Sequence, residues 1–534
     1  MFYYRAVEFN LADLFEHAVD SFPEREYLVA EGKRRSYAQM EERANRLAHH
    51  LAAQGVGPGD HVGIYGYNTA EWIEALWAVF KLRAVWININ YRYVEDELAY
   101  LVGNADLVAL IHQREFAVRV AAVMPHLPLL RHSLVMDGPD YEAALAAQSP
   151  ERDFAPRSPD DRYILYTGGT TGMPKGVVWR HEDVFMALGG GIDALTGEKV
   201  TQPEDLVAKG AFPITFLPIA PLMHGATQWA VMGQSFIGNK IILVAKFDPQ
   251  EVWRLVEVEK VNVMMITGDA MGRPLIEALD EPGAAERHDT SSILAMSSSA
   301  AVFSPSVKDD FFRHFPNLVL TDAIGASESG INGIIRVQPG KTAMKGGPTV
   351  TAGVDSLVLD DDMQPVKPGS GVIGRLARSG NIPIGYYKDT AKTEETFVTV
   401  DGVRYSMPGD MALVEEDGSI TLLGRGSQSI NSGGEKIFPE EVEAAVKAHP
   451  LVWDAVVVGV PDERWGQRVA AVVQARPGEA PTLEGIQQHC RTKIAGYKVP
   501  RELHLVDELV RSPSGKPDYR WARDAATKAP TGPS

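Results

Sequence analysis

Twelve consecutive positions constrain this chain more than any others. Residues 166–177 hold four glycines (Gly168, Gly169, Gly172, Gly176), three threonines (Thr167, Thr170, Thr171) and one lysine, Lys175. The short apolar run Tyr163, Ile164, Leu165 and Tyr166 leads into them. Glycines let the main chain come close to a ligand, and successive N–H groups with hydroxyls can cradle phosphate oxygens while a lysine adds counter-charge. The common phosphate loop needs Gly-Lys followed by Ser or Thr, whereas Lys175 stands between Pro174 and Gly176. Read by itself, the stretch is either a phosphate cradle or a flexible Gly/Thr surface loop.

At 534 residues the chain is long enough for several hydrophobic subdomains. No uninterrupted apolar run reaches membrane-spanning length, and the first residues lack a basic segment followed by an apolar one, so neither a transmembrane segment nor a signal peptide is expected. The single cysteine, Cys490, excludes an internal disulfide and fits a reducing, cytoplasmic setting. It shares a helical spacing with Leu483, Ile486 and Ile494 and reads as a small core residue. A net charge of −18 argues against nucleic acid as a main partner. Residues 425–534 carry 15 basic and 14 acidic side chains, so the surplus of acid lies before them. That makes the C-terminal part the less repulsive one toward an anion, unless the asymmetry is compositional accident.

Alternating helices and strands open the chain. Asn10 can cap a helix whose face is Leu11, Leu14, Phe15, Ala18 and Val19. Ser36 and Gln39 form a capping-box pattern before Met40, Ala44, Leu47 and Leu51, with Gly55 as the stop. Strands are predicted from His61 and over 84–90. This alternation predicts an α/β fold with largely parallel sheets. A boundary is expected near Gly424–Ser427, with domains at 1–424 and 425–534. Beyond it, Pro439 opens a helix rich in glutamate, and two apolar runs and the Cys490 helix complete a small α+β unit. Disorder is expected from Ala525 to Ser534. The spacing Gly369, Gly371, Gly374 matches a dinucleotide fingerprint, but the acidic, Pro-containing stretch before it is no buried strand, so the match is dismissed. No zinc-ligand spacing and no nucleophile elbow is present.

Four further segments accompany the first loop: 221–225 with His224, 322–328 ending in Glu328, 408–410 with Arg425 behind it, and 514–516 with Lys516. In this order and spacing, from about residue 10 to about 520, the chain resembles the adenylate-forming superfamily of acyl-CoA synthetases, luciferases and adenylation domains. The resemblance implies a large N-terminal adenylate-forming domain of parallel-sheet subdomains and a small mobile C-terminal domain turning about a hinge near 425–428. It implies a two-step reaction. A small-molecule carboxylic acid attacks the α-phosphate of ATP, giving acyl-adenylate and diphosphate, and coenzyme A then displaces AMP.

In that resemblance Thr167, Gly168, Gly169, Thr170, Thr171, Gly172 and Lys175 hold the β- and γ-phosphates. Glu328 binds Mg²⁺, a hard cation suited to carboxylate and phosphate oxygens. Asp410 and Arg425 take the ribose, and Ala300, Ala301, Asp322, Ile324, Gly325 and Ser327 line the adenine side. Lys516 supplies positive charge where negative charge develops at the α-phosphate. Gly433, Gly434, Glu435 and Lys436 line the thioester-forming site after rotation. Taken singly, Glu328, Asp410 and Lys516 could each be an ordinary loop or turn residue. Three departures stand out: Ile324 where an aromatic usually stacks on adenine, Ser427 at the hinge where Asp or Lys is usual, and Pro408 for Thr.

His224 bears on the acid. Amino-acid-activating relatives carry Asp there to pair with the ammonium, so an acid without an α-amino group is expected. His224 then gates the pocket or sits by the carboxylate, unless it is a buried structural histidine. Gly189, Gly190, Gly191, Trp229, Met232 and Met271 are either a roomy apolar pocket or core packing. Segments 179–183, 267–271, 429–436 and 515–521 look like an actinobacterial-type group that includes sterol side-chain and fatty-acyl-CoA ligases. A medium-to-long-chain or steroid-linked acid follows as the expectation. The alternatives are an acyl-AMP ligase that loads a carrier protein and a non-catalytic nucleotide- or acyl-binding protein. Assembly stays open, a homodimer included.

Overall fold

The computed structural model describes residues 8–167, 173–193, 196–342, 347–432, 435–462, 464–512 and 515–527, with main chain alone at 285 and 286. The chain folds as a large N-terminal domain and a small C-terminal domain of mixed α/β character, with three sheets among the described residues.

One sheet has a parallel centre of Arg162–Thr167, Val85–Asn88, His61–Tyr65, Leu107–His112 and His132–Val135. Apart from the edge strand His132–Val135, its strands are largely buried on both faces, as covered parallel strands require. Lys175–Arg180 returns antiparallel to Arg162–Thr167, pairing Lys175 with Thr167. The phosphate-loop candidate is therefore the connection of a hairpin. The second sheet runs parallel through Glu26–Ala30, Lys240–Leu243, Thr215–Pro218, Val263–Ile266, Ala295–Ser298 and Val319–Ala326. It then turns antiparallel at Gly330–Val337 and continues through Thr349–Ala352, Ile420–Arg425 and Asp410–Val414. The third sheet, in the small domain, is built on the long antiparallel pair Val452–Asp462 and Gly466–Ala475.

Local chemistry accounts for many of the boundaries. Asn10 accepts the Ala12 N–H at 2.9 Å and starts helix Leu11–Ser21. Ser36 and Gln39 satisfy one another's main-chain donors before helix Tyr37–Ala53, and Gly55 follows it at φ +83°. Pro439 begins helix Pro439–Lys447, and Cys490 is fully buried in helix Leu483–Arg491, where burial pushes its thiol up to about 11. Gly369 and Gly371 are left-handed turn residues followed by strand Gly374–Arg378, not by a helix, so the dinucleotide pattern has no matching context.

One expectation changes and one open choice narrows. The last helix, Tyr519–Thr527, runs past Ala525, because Ala522 and Ala526, one turn apart, pack against Val456 and Val458. Residues 528–534 lie outside the described ones. Trp229, Met232 and Met271 are 7%, 0% and 5% exposed and belong to core clusters, which favours packing over an open pocket at these three side chains.

Candidate active site

Several of the candidate segments follow parallel strands, the usual ligand position in open α/β sheets. Thr167 ends one such strand, and the His224 segment comes after Thr215–Pro218. Ala300 and Ala301 follow Ala295–Ser298, with Ala300 held at φ +67°. Asp322, Ile324 and Gly325 lie on Val319–Ala326, and Ser327 and Glu328 form the turn into Gly330–Val337.

Asp410 and Arg425 face each other across the hairpin Asp410–Val414 and Ile420–Arg425, with Arg425 Nε 2.9 Å from Asp410 Oδ1. Arg425 also donates to the Pro408 carbonyl at 2.9 Å. Burial raises the Asp410 pKa and Glu328 adds to the rise, while Arg425 and Lys516 pull it back. The balance is upward because two acids share a cleft poor in water.

Glu328 accepts a hydrogen bond from the Tyr386 hydroxyl at 2.9 Å, and its carbonyl accepts one from Ser406 Oγ at 2.5 Å. Among the described residues no Lys, Arg or His nitrogen pairs with it, and no group of three or more His, Cys, Asp or Glu could hold a metal. A hard carboxylate without a cation partner is the donor type Mg²⁺ uses when phosphates supply the rest. The site therefore fits that ion through Glu328 and substrate oxygens.

Lys516 enters from the small domain. Its loop is closed by Ser512 N–H to the Lys516 carbonyl at 2.8 Å, and Arg511 donates to the Gly515 carbonyl at 2.8 Å. Arg511 is anchored on Asp454 at 2.6 and 2.8 Å. The side chain stands open to the cleft, yet protein mass around it lowers its pKa, and Arg425 lowers it further, against the opposing pull of Glu328 and Asp410. Gly515, at φ +74°, sits directly on the large domain: a Cβ there would lie 3.1 Å from Ala270 Cβ and 3.2 Å from the Thr267 carbonyl. Arg92 reaches the Arg511 carbonyl at 3.2 Å.

His224 caps helix Gly225–Phe236 by position. Burial, then Lys516 and Arg92, drive its pKa down to about 3, so the imidazole is neutral at physiological pH. Its Nε2 is buried and finds no hydrogen-bond partner among the described residues.

Other candidate residues are already engaged. Lys175 pairs with Asp389, which also caps helix Thr390–Thr396. Asp322 pairs with buried Lys308. Ile324 is 5% exposed and packs with Val350, Val358 and Leu376. The Ser327 carbonyl accepts from Trp179 Nε1 at 3.1 Å. Glu435 and Lys436 are exposed on the small domain's hairpin, with Lys436 opposite Asn431. Gly168, Gly169, Thr170, Thr171, Gly172, Gly433 and Gly434 lie outside the described residues.

Sequence reasoning missed Tyr386, Asp389, Lys308 and Glu440. Glu440 is set against Gly424, where a Cβ would lie 2.3 Å from its Oε2. Burial, then Glu443 and Asp410, push the Glu440 carboxyl up to about 8. The signal for Tyr386 and Asp389 was present as Pro383, Gly385 and an Asp preceding a helix, but nothing nearby in sequence names their partners.

Residues 15–387 match the AMP-binding enzyme family and residues 441–516 the AMP-binding enzyme C-terminal domain. The 3-oxocholest-4-en-26-oate–CoA ligase of Rhodococcus rhodochrous is 56% identical, over 96% of this chain and 95% of that one. The medium/long-chain-fatty-acid–CoA/3-oxocholest-4-en-26-oate–CoA ligase of Mycolicibacterium smegmatis is 52% identical, over 98% and 97%. The solved structure of the anthranilate CoA ligase AuaEII with anthranoyl-AMP superposes with a TM-score of 0.83 at 22% identity, covering 97% of both chains, which establishes the shared adenylate-forming fold. With the family signature spread over most of its length and relatives above half identity along nearly all of it, this chain belongs to the AMP-binding enzyme family.

Proposed function

We propose that this chain is an AMP-forming acid–thiol ligase, an ATP-dependent acyl-CoA synthetase for medium- or long-chain or steroid side-chain carboxylic acids. One observation carries the reading: Lys516 stands over the Asp410–Arg425 hairpin and Glu328, next to neutral His224. That is a cation from one domain held near two carboxylates of the other.

In the first half-reaction the acid's carboxylate oxygen bonds to the α-phosphorus of ATP and diphosphate leaves. Lys516 stabilises the charge that grows on the α-phosphate, Asp410 and Arg425 hold the ribose, and residues 167–172 with Lys175 hold the outgoing phosphates. Lys175 leaves Asp389 to do so. Mg²⁺ on Glu328 would neutralise the phosphate oxygens. In the second half-reaction the CoA thiol forms the thioester and AMP leaves. The small domain, taken as residues 425–534, turns about 425–428 between the two and brings 433–436 to the site. His224 carries no charge to pair with an α-ammonium, which fits an acid without one. The names borne by the two relatives support the substrate class. No helix among the described residues is long and apolar enough to cross a membrane.

The test is acid-dependent formation of AMP and acyl-CoA with ATP, Mg²⁺ and CoA. The panel runs from acetate through octanoate and palmitate to benzoate and a sterol side-chain acid, with Lys516→Ala as control. Thioester from long or sterol acids, lost in the variant, is the expected result. Preference for acetate or benzoate overturns the substrate class, and AMP without thioester overturns the acceptor.

A further inference from the structure

The Glu328 main chain is pinned on several sides. Its carbonyl takes the Ser406 hydroxyl, the preceding Ser327 carbonyl takes Trp179 Nε1 at 3.1 Å, and Ser329 N–H donates to the Ala326 carbonyl at 3.2 Å. The side chain is a different matter. Three rotatable bonds separate its carboxylate from the main chain, and among the described residues no cation pairs with it. One hydrogen bond orients it, from the Tyr386 hydroxyl to Oε1.

Tyr386 is itself rigidly seated. Gly385 and Tyr386 form a two-residue strand opposite Val178 and Val177, on the strand that begins with Lys175. Ile384 N–H and Tyr387 N–H continue the ladder to the Val178 and Gly176 carbonyls at 2.7 and 2.8 Å. Tyr386 N–H donates to Thr393 Oγ1 at 2.9 Å, and the ring meets Phe397 edge-on at 6.0 Å. Beyond it Tyr387 is tied to Asp106 at 2.7 Å. The hydroxyl is therefore a fixed donor carried by the strand next to the phosphate-loop candidate, aimed at a carboxylate 58 residues away.

We propose that Tyr386 is a positioning residue for Glu328, fixing the orientation in which its carboxylate meets the Mg²⁺–ATP phosphates. The inference rests on the function proposed above. A small cation that demands near-octahedral geometry rewards a carboxylate with one fixed orientation, and a hydrogen bond to an ionised group is among the stronger ones available. A tyrosine present only for packing would need no hydroxyl.

The test compares the full chain with Tyr386→Phe and Glu328→Gln. Two quantities are read: the Mg²⁺ concentration at half-maximal ATP–diphosphate exchange, and Mn²⁺ uptake in the presence of ATP by electron paramagnetic resonance. Tyr386→Phe is expected to move both midpoints up about five- to tenfold, in line with one charge-assisted hydrogen bond lost. Thioester formation from supplied acyl-adenylate, which involves no diphosphate, is expected to stay unchanged. Unmoved midpoints, or an equal fall in both half-reactions, overturn the inference. If Glu328→Gln moves the midpoints and Tyr386→Phe does not, this inference alone falls. If Glu328→Gln moves neither, the placement of Mg²⁺ on Glu328 falls and takes the inference with it. Should Tyr386→Phe not fold, Thr393→Ala carries the test. It loosens Tyr386 without touching Glu328, a shift in the same direction is expected, and none overturns the proposal.

Discussion

The hairpin bearing Asp410 and the loop bearing Lys516 reach the same cleft by opposite means. Asp410 is set by a ladder: Arg425 faces it in register, Arg425 is held in turn by the Pro408 carbonyl, and Thr421 and Ala412 bury the strands behind. Its position is built into the large domain. Lys516 and Gly515 are likewise tied, by the Ser512 and Arg511 bonds, but those ties are internal to the small domain. What brings Lys516 over Asp410 is docking, chiefly Gly515 on Thr267 and Ala270 and Arg92 on the Arg511 carbonyl. On the proposed reading, a ribose site serves both half-reactions and belongs on a rigid ladder, whereas a cation used in one of them belongs on a surface that can dock and leave.

Four measurements break or sharpen this contrast. The largest effect is expected for Lys516→Ala: ATP–diphosphate exchange falls about 10²–10³-fold, as for loss of a preorganised charge partner, while thioester formation from supplied acyl-adenylate holds. Because the Lys516 pKa is lowered, the alkaline limb of kcat/KM for exchange lies below the ordinary lysine range, charge being lost as pH rises through it. Equal loss in both half-reactions would make Lys516 a fixed part of the site and erase the contrast.

Asp410→Asn is expected next, weakening ATP about 10- to 100-fold through its ribose bonds and impairing both half-reactions together. Selective loss of one would place Asp410 with Lys516. Gly515→Ala puts a methyl at 3.1 Å from Ala270 and 3.2 Å from the Thr267 carbonyl. Relieving such crowding costs about 1 kcal/mol or more, so exchange should slow about five- to tenfold with thioester formation spared. No change would show that docking does not run through Gly515.

The smallest effect concerns Glu440, wedged on Gly424 where the two domains join. Its folded pKa, pushed up to about 8, lies above the ordinary glutamate value of 4.5. Its favourable contribution is therefore complete below 4.5 and lost as pH rises toward 8. Glu440→Gln should raise Tm at pH 8 by about 2–4 °C and leave it unchanged at pH 4.5, as scanning calorimetry can check. A pH-independent difference would show that the carboxyl is not held neutral.

Local order was legible where a residue's role is settled by its neighbours in sequence. Asn10, the Ser36–Gln39 pair, Gly55 and Pro439 each act within a turn or two of the chain. The expected disorder failed at Ala525–Thr527, because alanines read as featureless until Val456 and Val458 offer them a surface. Pocket and core packing both stayed open for Trp229, Met232 and Met271, since an apolar side chain beside glycines looks alike in sequence whether it lines a space or fills one. Ile324 raised a question that register answers: alternation along Val319–Ala326 turns it toward Val350 and Val358. Tyr386, Asp389 and Lys308 went unread because their partners are brought to them by strand pairing and helix packing.

What the sequence by itself determined is the order of the motifs, the α/β alternation, and the residue types that handle a nucleotide: a Gly/Thr loop, lone acids and a lysine in a Ser/Gly turn. These are short-range or compositional, so they survive being read one after another. Tertiary structure alone decided that Lys516 faces Asp410 and Glu328, that His224 is neutral beside it, and that Glu328 is aimed by Tyr386. Each of these depends on distance and burial between segments tens to hundreds of residues apart, and a linear pattern carries neither.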